Sequence, residues 1–333
     1  MSNTLVKIVR FSQTGGPEVL KIEELPLPEP GQGEVRLRVH AIGLNRAEIM
    51  FREGKYLLQP TFPSKLGYEA SGIVDAVGPG VDKGMIGKKY STVPAFPVNE
   101  YGVYGEVAIV PAAVLAAYPE KLSFEEGTSI WMQFLTAYGA LVHFGKLAKG
   151  DFVLINAASS SVGVAAIQIA RAQGATSIAV TRTAKKKAAL LELGAAHVIA
   201  SSEENLPERV AAITNGKGAR IVFDPVLGKG FAVLAEAAAK GGIMFAYGAL
   251  ANEPTPLPIF TLLSKGLSIR GYTLFEIVLN PEVRAAATKY VFDHIQSGAL
   301  TPKIARTFPL SQIVEAHRSM ESNEHIGKIV VTV

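Results

Sequence analysis

The chain has 333 residues, of which 48% are hydrophobic and 19% charged, and its formal net charge is +4. This length allows two domains with a large core, and the composition is that of a globular protein. No basic stretch is interleaved with aromatic residues, so nucleic acid is not an expected partner. The absence of cysteine excludes disulfides, cysteine nucleophiles and thiolate metal sites.

No stretch is predicted to enter a membrane. Met1–Phe11 lacks the apolar core of a signal peptide, and no apolar run reaches the roughly 18 residues of a membrane span. We therefore expect a cytoplasmic protein.

The first third of the chain predicts short β-strands and one helix. Val35, Leu37 and Val39 alternate with charged neighbours, as is typical of a strand. Asn45 and Glu48 have the spacing of a capping box, which predicts a helix over 45–53. Dense glycine and proline between the strands indicate a twisted, partly barrel-like β domain. The predicted strands are Val6–Phe11, Leu20–Glu24, Glu34–Ala41, Gly72–Val77, Lys88–Val93 and Glu106–Val110.

A second capping-box pattern, Ser123 and Glu126, opens a stretch predicted to be helical to about His143. The segment Asp151–Gly174 then combines an apolar strand, a turn of small residues and a helix ended by glycine, which is the start of a βαβ unit. The helix N-terminus of such a unit presents free N–H groups to an anion, usually a pyrophosphate. Of the three glycines in the fingerprint G-x-G-x-x-G only Gly163 is present, so a purely structural turn stays open as an alternative.

Strands and helices alternate regularly after this turn, which predicts a parallel, doubly wound sheet of Rossmann type. The predicted strands are Phe152–Asn156, Ser177–Thr181, Val198–Ala200, Arg220–Asp224, Ile243–Tyr247 and Leu267–Gly271, and the helices are 162–173, 184–193, 206–214 and 229–239.

The C-terminal tail is predicted to rejoin the N-terminal β domain. Its elements are a helix Pro281–Gln296, a strand Ile304–Phe308, a helix Ser311–Met320 and a strand Lys328–Val333. We therefore expect a discontinuous domain, 1–127 with 275–333, around a continuous nucleotide-binding domain, 128–274.

The end of the second strand of the alternating region indicates the cofactor. An NAD site places an acidic side chain there, about twenty residues after the turn, to bond the ribose 2′-hydroxyl. This chain has Thr181, Arg182 and Thr183, followed by Lys185–Lys187. Hydroxyl, guanidinium and amine groups suit a 2′-phosphate, which favours NADP(H) over NAD. The alternative for the lysines is a solvated helix face.

Several short motifs, in their order and spacing, resemble the medium-chain dehydrogenase/reductase superfamily within its zinc-free quinone oxidoreductase branch. The resemblance covers essentially the whole chain and implies a GroES-like β domain and a Rossmann-type domain, with the active site in the cleft between them. The motifs are GGPEVLKIEELPLPEPGQGEV near the start, GLNRAEIMFREGKY at 43–56, LGYEASGIVDAVGPGV at 66–81, LTAYGAL at 135–141, AASSSVG at 157–163 and GKIVVTV at the end.

The departures from the family pattern concern the metal and the turn. Zinc-dependent members carry cysteine where this chain has Asn45 and histidine where it has Tyr68, so that Glu69 alone remains of the usual catalytic ligands. Neither asparagine nor tyrosine is a good zinc ligand, and we expect no metal. The turn reads SSSVG where quinone oxidoreductases usually have GGVG, and serine hydroxyls can themselves donate to phosphate oxygens.

The resemblance also implies the site residues. Asn45 matches an asparagine near the nicotinamide and substrate, and Tyr56 matches a tyrosine that lines the substrate site and is a proposed proton donor in related enoyl thioester reductases. A tyrosine with a pKa of about 10 stays protonated at neutral pH. The alternatives are a helix cap for Asn45, a packed loop aromatic for Tyr56 and a surface position for Lys328. The implied cofactor-binding residues are Asn45, Thr136, Ser160, Ser161, Val162, Gly163, Thr181, Arg182, Thr183, Lys186, Gly248 and Lys328.

Without a Lewis acid, hydride addition suits an acceptor that is already polarised. The leading hypothesis is a zinc-independent, NADPH-dependent reductase of small electrophiles, either quinones or α,β-unsaturated carbonyls. The first alternative is a 2-enoyl thioester reductase with Tyr56 as proton donor, and the second is a non-catalytic NADPH-binding protein. The resemblance further implies a homodimer or homotetramer, and the apolar run Leu257–Leu263 is a candidate contact.

Overall fold

The computed structural model of the protein describes residues 4–333, which form two compact units. The first unit ends at Met132 and resumes with Pro302–Val333, and the second is Gln133–Thr301. Residues 275–301, predicted to belong with the β domain, lie in the second unit, where Tyr290 accepts a hydrogen bond from Gln173 and packs against Tyr138. Residues 1–3 of the predicted first domain lie outside the described residues.

The strands follow the predicted order, with small shifts at their ends. The central strand of the first unit reaches Gly43, two residues beyond the predicted end, because its last residues pair with the C-terminal strand. The strands are β1 Leu5–Arg10, β2 Lys21–Pro26, β3 Glu34–Gly43, β4 Glu69–Val77, β5 Lys89–Thr92, β6 Val107–Pro111, β7 Leu115–Ala116, β8 Phe152–Ile155, β9 Thr176–Thr181, β10 His197–Ala200, β11 Ala219–Asp224, β12 Ala238–Ala246, β13 Ser268–Gly271, β14 Ile304–Pro309 and β15 Lys328–Thr332.

The helices differ from prediction mainly over 123–143. The capping box of Ser123 and Glu126 is present, but the helix that it opens ends at Gly127, and a new helix is followed by a π-helix at Gly139–Phe144. The α-helices are α1 Arg46–Arg52, α2 Val98–Tyr101, α3 Phe124–Gly127, α4 Trp131–Tyr138, α5 Ser161–Ala172, α6 Lys187–Glu192, α7 Leu206–Ile213, α8 Gly230–Ala237, α9 Ile259–Lys265, α10 Phe275–Val278, α11 Pro281–Gln296 and α12 Ile313–Glu321.

The second unit contains one six-stranded sheet in the order β10-β9-β8-β11-β12-β13, and every neighbouring pair is parallel. This is the doubly wound order of the Rossmann fold, and it confirms the prediction. The order reverses between β8 and β11, so ligands are expected outside the carboxyl ends of these two strands. Apolar residues of the sheet, such as Leu154 and Met244, pack against Val210 of α7 and Phe231 of α8.

The first unit is built around β3. Its first half pairs with β6 and its last residues pair with β15, while β4 runs along the opposite edge. The C-terminal strand therefore extends the N-terminal sheet, as predicted for the returning tail. The register places Val330 opposite Gly43, which brings Lys328 close to the start of α1.

None of the helices in residues 4–333 has the length and apolar character that a membrane crossing requires.

Candidate functional site

Asn45 precedes α1 and is the centre of a buried polar cluster in the first unit. Its Nδ2 lies within hydrogen-bond distance of Gly43 O at 3.1 Å, Glu69 Oε2 at 3.1 Å and Glu48 Oε1 at 3.3 Å. Its Oδ1 accepts from Lys328 Nζ at 2.6 Å. Both amide hydrogens and the amide oxygen are thus engaged within the protein. The resemblance implies a place near the nicotinamide and substrate for Asn45, but in this arrangement its amide organises the neighbouring charges of the protein.

Glu48 lies one turn into α1 and is completely buried. Its Oε2 accepts from Tyr104 Oη at 2.6 Å and from the backbone N–H of Asn45 at 2.7 Å, and its Oε1 accepts from Tyr68 N at 3.0 Å. The capping-box contact predicted from the spacing of Asn45 and Glu48 is present. Burial raises the pKa of Glu48, whereas the hydrogen bonds and the charge of Lys328 oppose that rise.

Lys328 does not lie on the surface, and the structure does not place it as a free phosphate ligand. Its ammonium forms an ion pair with Glu69 Oε2 at 2.5 Å, and the two side chains are 0% and 1% exposed. Glu69 Oε1 accepts from the backbone N–H of Met132 at 2.8 Å, so both carboxylate oxygens are used. The implied role of Lys328 in cofactor binding, and the alternative of a surface position, are therefore corrected, because its charge already has a buried partner.

Tyr56 follows α1 and is half-buried, with no hydrogen bond from its hydroxyl to any residue in the described range 4–333. Burial, and secondarily the charge of Glu48, raises the pKa of Tyr56 to about 12. Tyr68, whose backbone N–H bonds Glu48, is buried beside it, and burial also raises its pKa. The Tyr56 hydroxyl is thus protonated at neutral pH and has hydrogen-bonding capacity left for a ligand.

The turn between β8 and α5 has the geometry of a phosphate-binding turn. Ser160 is the N-cap of α5, and its Oγ accepts from Gly163 N at 3.0 Å. Ser161 and Val162 form the first helical positions and are half-buried, and their backbone N–H groups belong to the first turn, which lacks intrahelical partners. An anion placed at this end would meet these groups and the positive end of the helix.

Gly163 is required at its position by close packing. A Cβ atom there would lie 2.6 Å from both Ala158 Cα and Ala158 O, which is too close for any side chain. Ala157 takes the positive φ of +49° that glycine would otherwise supply at the start of the turn. The serines therefore occupy positions where a side chain fits, and glycine remains where none does.

Asn156 and Asp224, which the sequence analysis did not single out, hold the loop that follows β11. Asn156 Nδ2 donates to Asp224 Oδ1 at 2.8 Å, which joins the carboxyl ends of β8 and β11. Asp224 also accepts from the backbone N–H groups of Val226 and Leu227 at 2.9 and 3.1 Å. The signal was available, since a polar residue ends each of these two apolar strands where the sheet order reverses.

The end of β9 carries Thr181, which is buried, and Arg182, which is exposed and makes no ion pair within the described residues. Thr183 and Lys186 are half-buried, and Lys186 Nζ donates to Ser159 Oγ at 3.1 Å, which links the basic segment to the turn. The fold adds an acid that the sequence argument missed: Glu203 Oε1 accepts from Ala184 N at 2.9 Å.

The two remaining predicted residues lie on separate elements. Thr136 is buried in the last turn of α4, directly before the π-helix. Gly248 follows β12, and a Cβ there would lie 2.8 Å from Pro225 O. Packing against the Asp224–Pro225 loop thus explains this glycine, which the resemblance implies as a cofactor-binding residue.

Comparison with known proteins agrees with both units. The model of the alcohol dehydrogenase GroES-like domain matches residues 31–120, and that of the zinc-binding dehydrogenase matches residues 161–291. The chain is 30% identical to the quinone oxidoreductase of Pseudomonas aeruginosa over 328 residues, which cover 98% of this chain and 99% of that protein.

Two solved structures are similarly close. One is the Escherichia coli quinone oxidoreductase complexed with NADPH, with a TM-score of 0.89 at 30% identity over 98% of this chain and 100% of that one. The other is described as an NAD-dependent alcohol dehydrogenase, with a TM-score of 0.90 at 33% identity over 98% and 99%. The chain belongs to the medium-chain dehydrogenase/reductase superfamily, in its quinone oxidoreductase-like branch. It is an oxidoreductase with a GroES-like domain and a Rossmann-type domain.

The matching zinc-binding model raises the question of a metal, and the residues here do not fit one. Asn45 and Tyr68 are poor zinc donors, and the carboxylate of Glu69 is neutralised by Lys328. Across residues 4–333 no three histidine or acidic side chains come together in a group able to hold a metal ion.

Replacing Gly163 by alanine should lower the free energy of unfolding by about 1–3 kcal/mol, the usual cost of overpacking, because α5 must move away from Ala158. Gly230→Ala is the matched control: a Cβ there meets nothing within 4 Å, and the substitution should be neutral or stabilise by up to about 1 kcal/mol. Denaturant unfolding of both variants measures this, and equal effects would contradict the packing argument.

Proposed function

We propose that the protein is a zinc-independent, NADPH-dependent reductase that transfers hydride to quinones or α,β-unsaturated carbonyls. The observation that carries the cofactor part is Arg182, an exposed guanidinium without an ion-pair partner in the described chain, at the end of β9. The NADPH complex of the Escherichia coli enzyme supports this choice, and the names of the relatives support the acceptor class.

The residues of the second unit bind and orient the cofactor in this proposal. NADPH, when bound, supplies the hydride. The N-terminal N–H groups of α5 and the hydroxyls of Ser160 and Ser161 would hold the pyrophosphate. Thr181, Arg182 and Thr183 would hold the 2′-phosphate, and Lys186 would add positive charge from the neighbouring turn. Thr136 contributes its hydroxyl from α4.

The residues of the first unit favour an acceptor that needs no Lewis acid. Among residues 4–333, the cation that pairs with Glu69 is the ammonium of Lys328, and it is buried and engaged by this carboxylate. Quinones and conjugated carbonyls accept hydride at a carbon that is already electron-poor. The enolate or hydroquinone anion that results needs a proton, and Tyr56, with a pKa of about 12, holds one across the neutral range.

The protonated hydroxyl of Tyr56 also favours a second candidate, a 2-enoyl thioester reductase. Reduction of an enoyl thioester also leaves an enolate, and Tyr56 would deliver its proton. The two candidates share the cofactor and the acid and differ only in the acceptor. A panel of quinones, enones and enoyl thioesters, assayed by NADPH oxidation, separates them. NADPH binding without turnover on the whole panel would instead support a non-catalytic protein.

Arg182 is predicted to determine the choice between NADPH and NADH. Arg182→Ala removes a charged hydrogen bond of about 1.5–3 kcal/mol, so kcat/KM for NADPH should fall about 10- to 100-fold while that for NADH stays unchanged. The control is Arg209→Ala, which removes an arginine of α7 that pairs with Glu204. It should leave kcat/KM for NADPH and for NADH unaltered. Steady-state kinetics with both cofactors give the answer. A parallel loss for NADH in the Arg182 variant would argue against a 2′-phosphate contact.

Tyr56 is predicted to act as the proton donor. Tyr56→Phe should lower kcat about 10²-fold on enones or enoyl thioesters, the range of a general-acid contribution, with little change in the KM for NADPH. The control is Tyr101→Phe, since Tyr101 donates to Glu34 at 2.9 Å and is remote from α1 in the sequence. Stopped-flow measurement of NADPH oxidation separates binding from chemistry. Wild-type turnover in the Tyr56 variant would remove the proton-donor role.

We also propose that two copies associate through the outer edge of the second unit's sheet. Within the described chain β13 pairs only with β12, which leaves its other edge open. The adjacent helix α9 exposes Ile259, Phe260 and Leu263, with Phe260 86% exposed. An open edge next to exposed apolar side chains is a self-pairing surface, and a twofold arrangement covers both features at once.

Phe260→Asp should halve the molar mass measured by light scattering after size-exclusion chromatography, because the aspartate places a charge on the proposed contact. Ile86→Asp replaces another exposed apolar residue, in the first unit, and should leave the mass unchanged. If the wild-type protein has the mass of one chain, the surface has no such role.

A further inference from the structure

Two side-chain oxygens of the first unit converge on one buried cation. Lys328 Nζ donates to Asn45 Oδ1 at 2.6 Å and to Glu69 Oε2 at 2.5 Å. The lysine and glutamate side chains are almost completely buried, so water does not screen their charges. A carboxylate in such surroundings needs a cation or a proton, because an unpaired buried charge is strongly destabilising.

The path of the lysine side chain is prepared by Gly43. The register of β15 against β3 places Val330 opposite Gly43, so that Lys328 crosses the end of β3. A Cβ on Gly43 would lie 2.8 Å from Lys328 Cε and 2.2 Å from Thr128 O. Any larger residue at position 43 would therefore collide with the aliphatic stem that carries the ammonium into the cluster.

We infer that Lys328 is a built-in substitute for a metal ion, whose tethered ammonium fills an oxygen pocket formed by Asn45 and Glu69. Asn45 and Tyr68 match the positions of zinc ligands in zinc-dependent relatives, and Glu69 is the acid that remains beside them. The pocket has kept an anionic oxygen and has gained a cation from the chain itself. A divalent ion would have to displace this cation and leave it buried without a partner.

Lys328 acts as a positioning residue in this arrangement. It fixes the Asn45 oxygen, and the Asn45 amide in turn contacts Glu48 and Glu69. Glu48 holds the backbone of Asn45 at the start of α1, the helix that ends four residues before Tyr56. The effect of Lys328 on catalysis rests on the proposed function, whereas its role as the resident cation does not.

Chemical replacement of the ammonium tests the inference without any enzyme assay. Lys328→Ala removes the side chain beyond Cβ and should lower the melting temperature, and ethylammonium chloride should restore most of the loss with a saturable dependence on concentration. Lys328→Met fills the same space without charge and should not respond. Tetramethylammonium chloride at equal ionic strength controls for salt. Equal responses of the alanine and methionine variants, or none in either, would overturn the inference.

Wild-type protein provides the complementary measurement. After incubation with zinc and removal of the excess, native mass spectrometry should show the metal-free mass, and the melting temperature should be the same with zinc and with a chelator. Stoichiometric zinc that is bound at this cluster, and lost in Glu69→Gln, would show that the ammonium does not replace a metal.

A double-mutant cycle covers the case in which Lys328→Ala does not fold. Lys328→Met and Glu69→Gln should each destabilise the protein, while Glu69→Gln combined with Lys328→Met should be more stable than either single variant, because no unpaired charge remains. Additive losses would mean that the two side chains do not act as a charge pair. If ethylammonium restores stability without activity, the cation role stands and the proposed reaction needs revision.

Discussion

The ion pair between Lys328 and Glu69 joins the two chain segments of the first unit. Lys328 begins the last strand and Glu69 begins β4, and their contact lies at the point where β15 pairs with the end of β3. Loss of one partner from a buried pair of this kind typically costs about 3–5 kcal/mol. The pair therefore stabilises both the fold and the site. It holds the C-terminal strand against the rest of the first unit, and it neutralises the carboxylate of Glu69. Asn45, Glu48 and Tyr104 extend the same network into α1 through hydrogen bonds.

The nucleotide-binding turn shows how few of its usual glycines are physically necessary. Gly163 has no alternative, because any Cβ would enter the backbone of Ala158. At the start of the turn an alanine accepts a left-handed conformation, which costs about 1–2 kcal/mol and is held in place by the surrounding structure. Ser160 uses its hydroxyl as an N-cap, so the residue that stands in place of a glycine stabilises the helix whose N-terminus is the proposed pyrophosphate site.

Some of the basic side chains after β9 are paired with acids, and others have no ion-pair partner in the described chain. Arg182 and Lys185 have no ion-pair partner in the described chain, whereas Lys187 is paired with Glu204 at 2.5 Å. Glu203 lies nearby but uses its carboxylate to accept the backbone N–H of Ala184, which fixes the turn after the strand. The positive charge that remains without an ion-pair partner in the described chain is thus concentrated at the end of the strand, where we propose that the 2′-phosphate binds.

The sequence by itself determined the doubly wound sheet, the β-rich first unit, the return of the tail and the composition of the turn. These features depend on local periodicity, on turn residues and on motif order, all of which are written in neighbouring residues. The sequence also argued against zinc at this position, because asparagine and tyrosine are poor ligands in any fold. It could not assign Lys328, whose partners are 283 and 259 positions away in the chain. It did not single out Asn156 and Asp224, although each is a polar residue at the end of an apolar strand, because only strand pairing shows that these two ends are neighbours. It also did not place residues 275–301 in the second unit, because a helix carries no signal of which surface covers it. Only the tertiary structure decided these points, since strand pairing brings distant residues together and burial turns an ordinary lysine into the resident cation of the cluster.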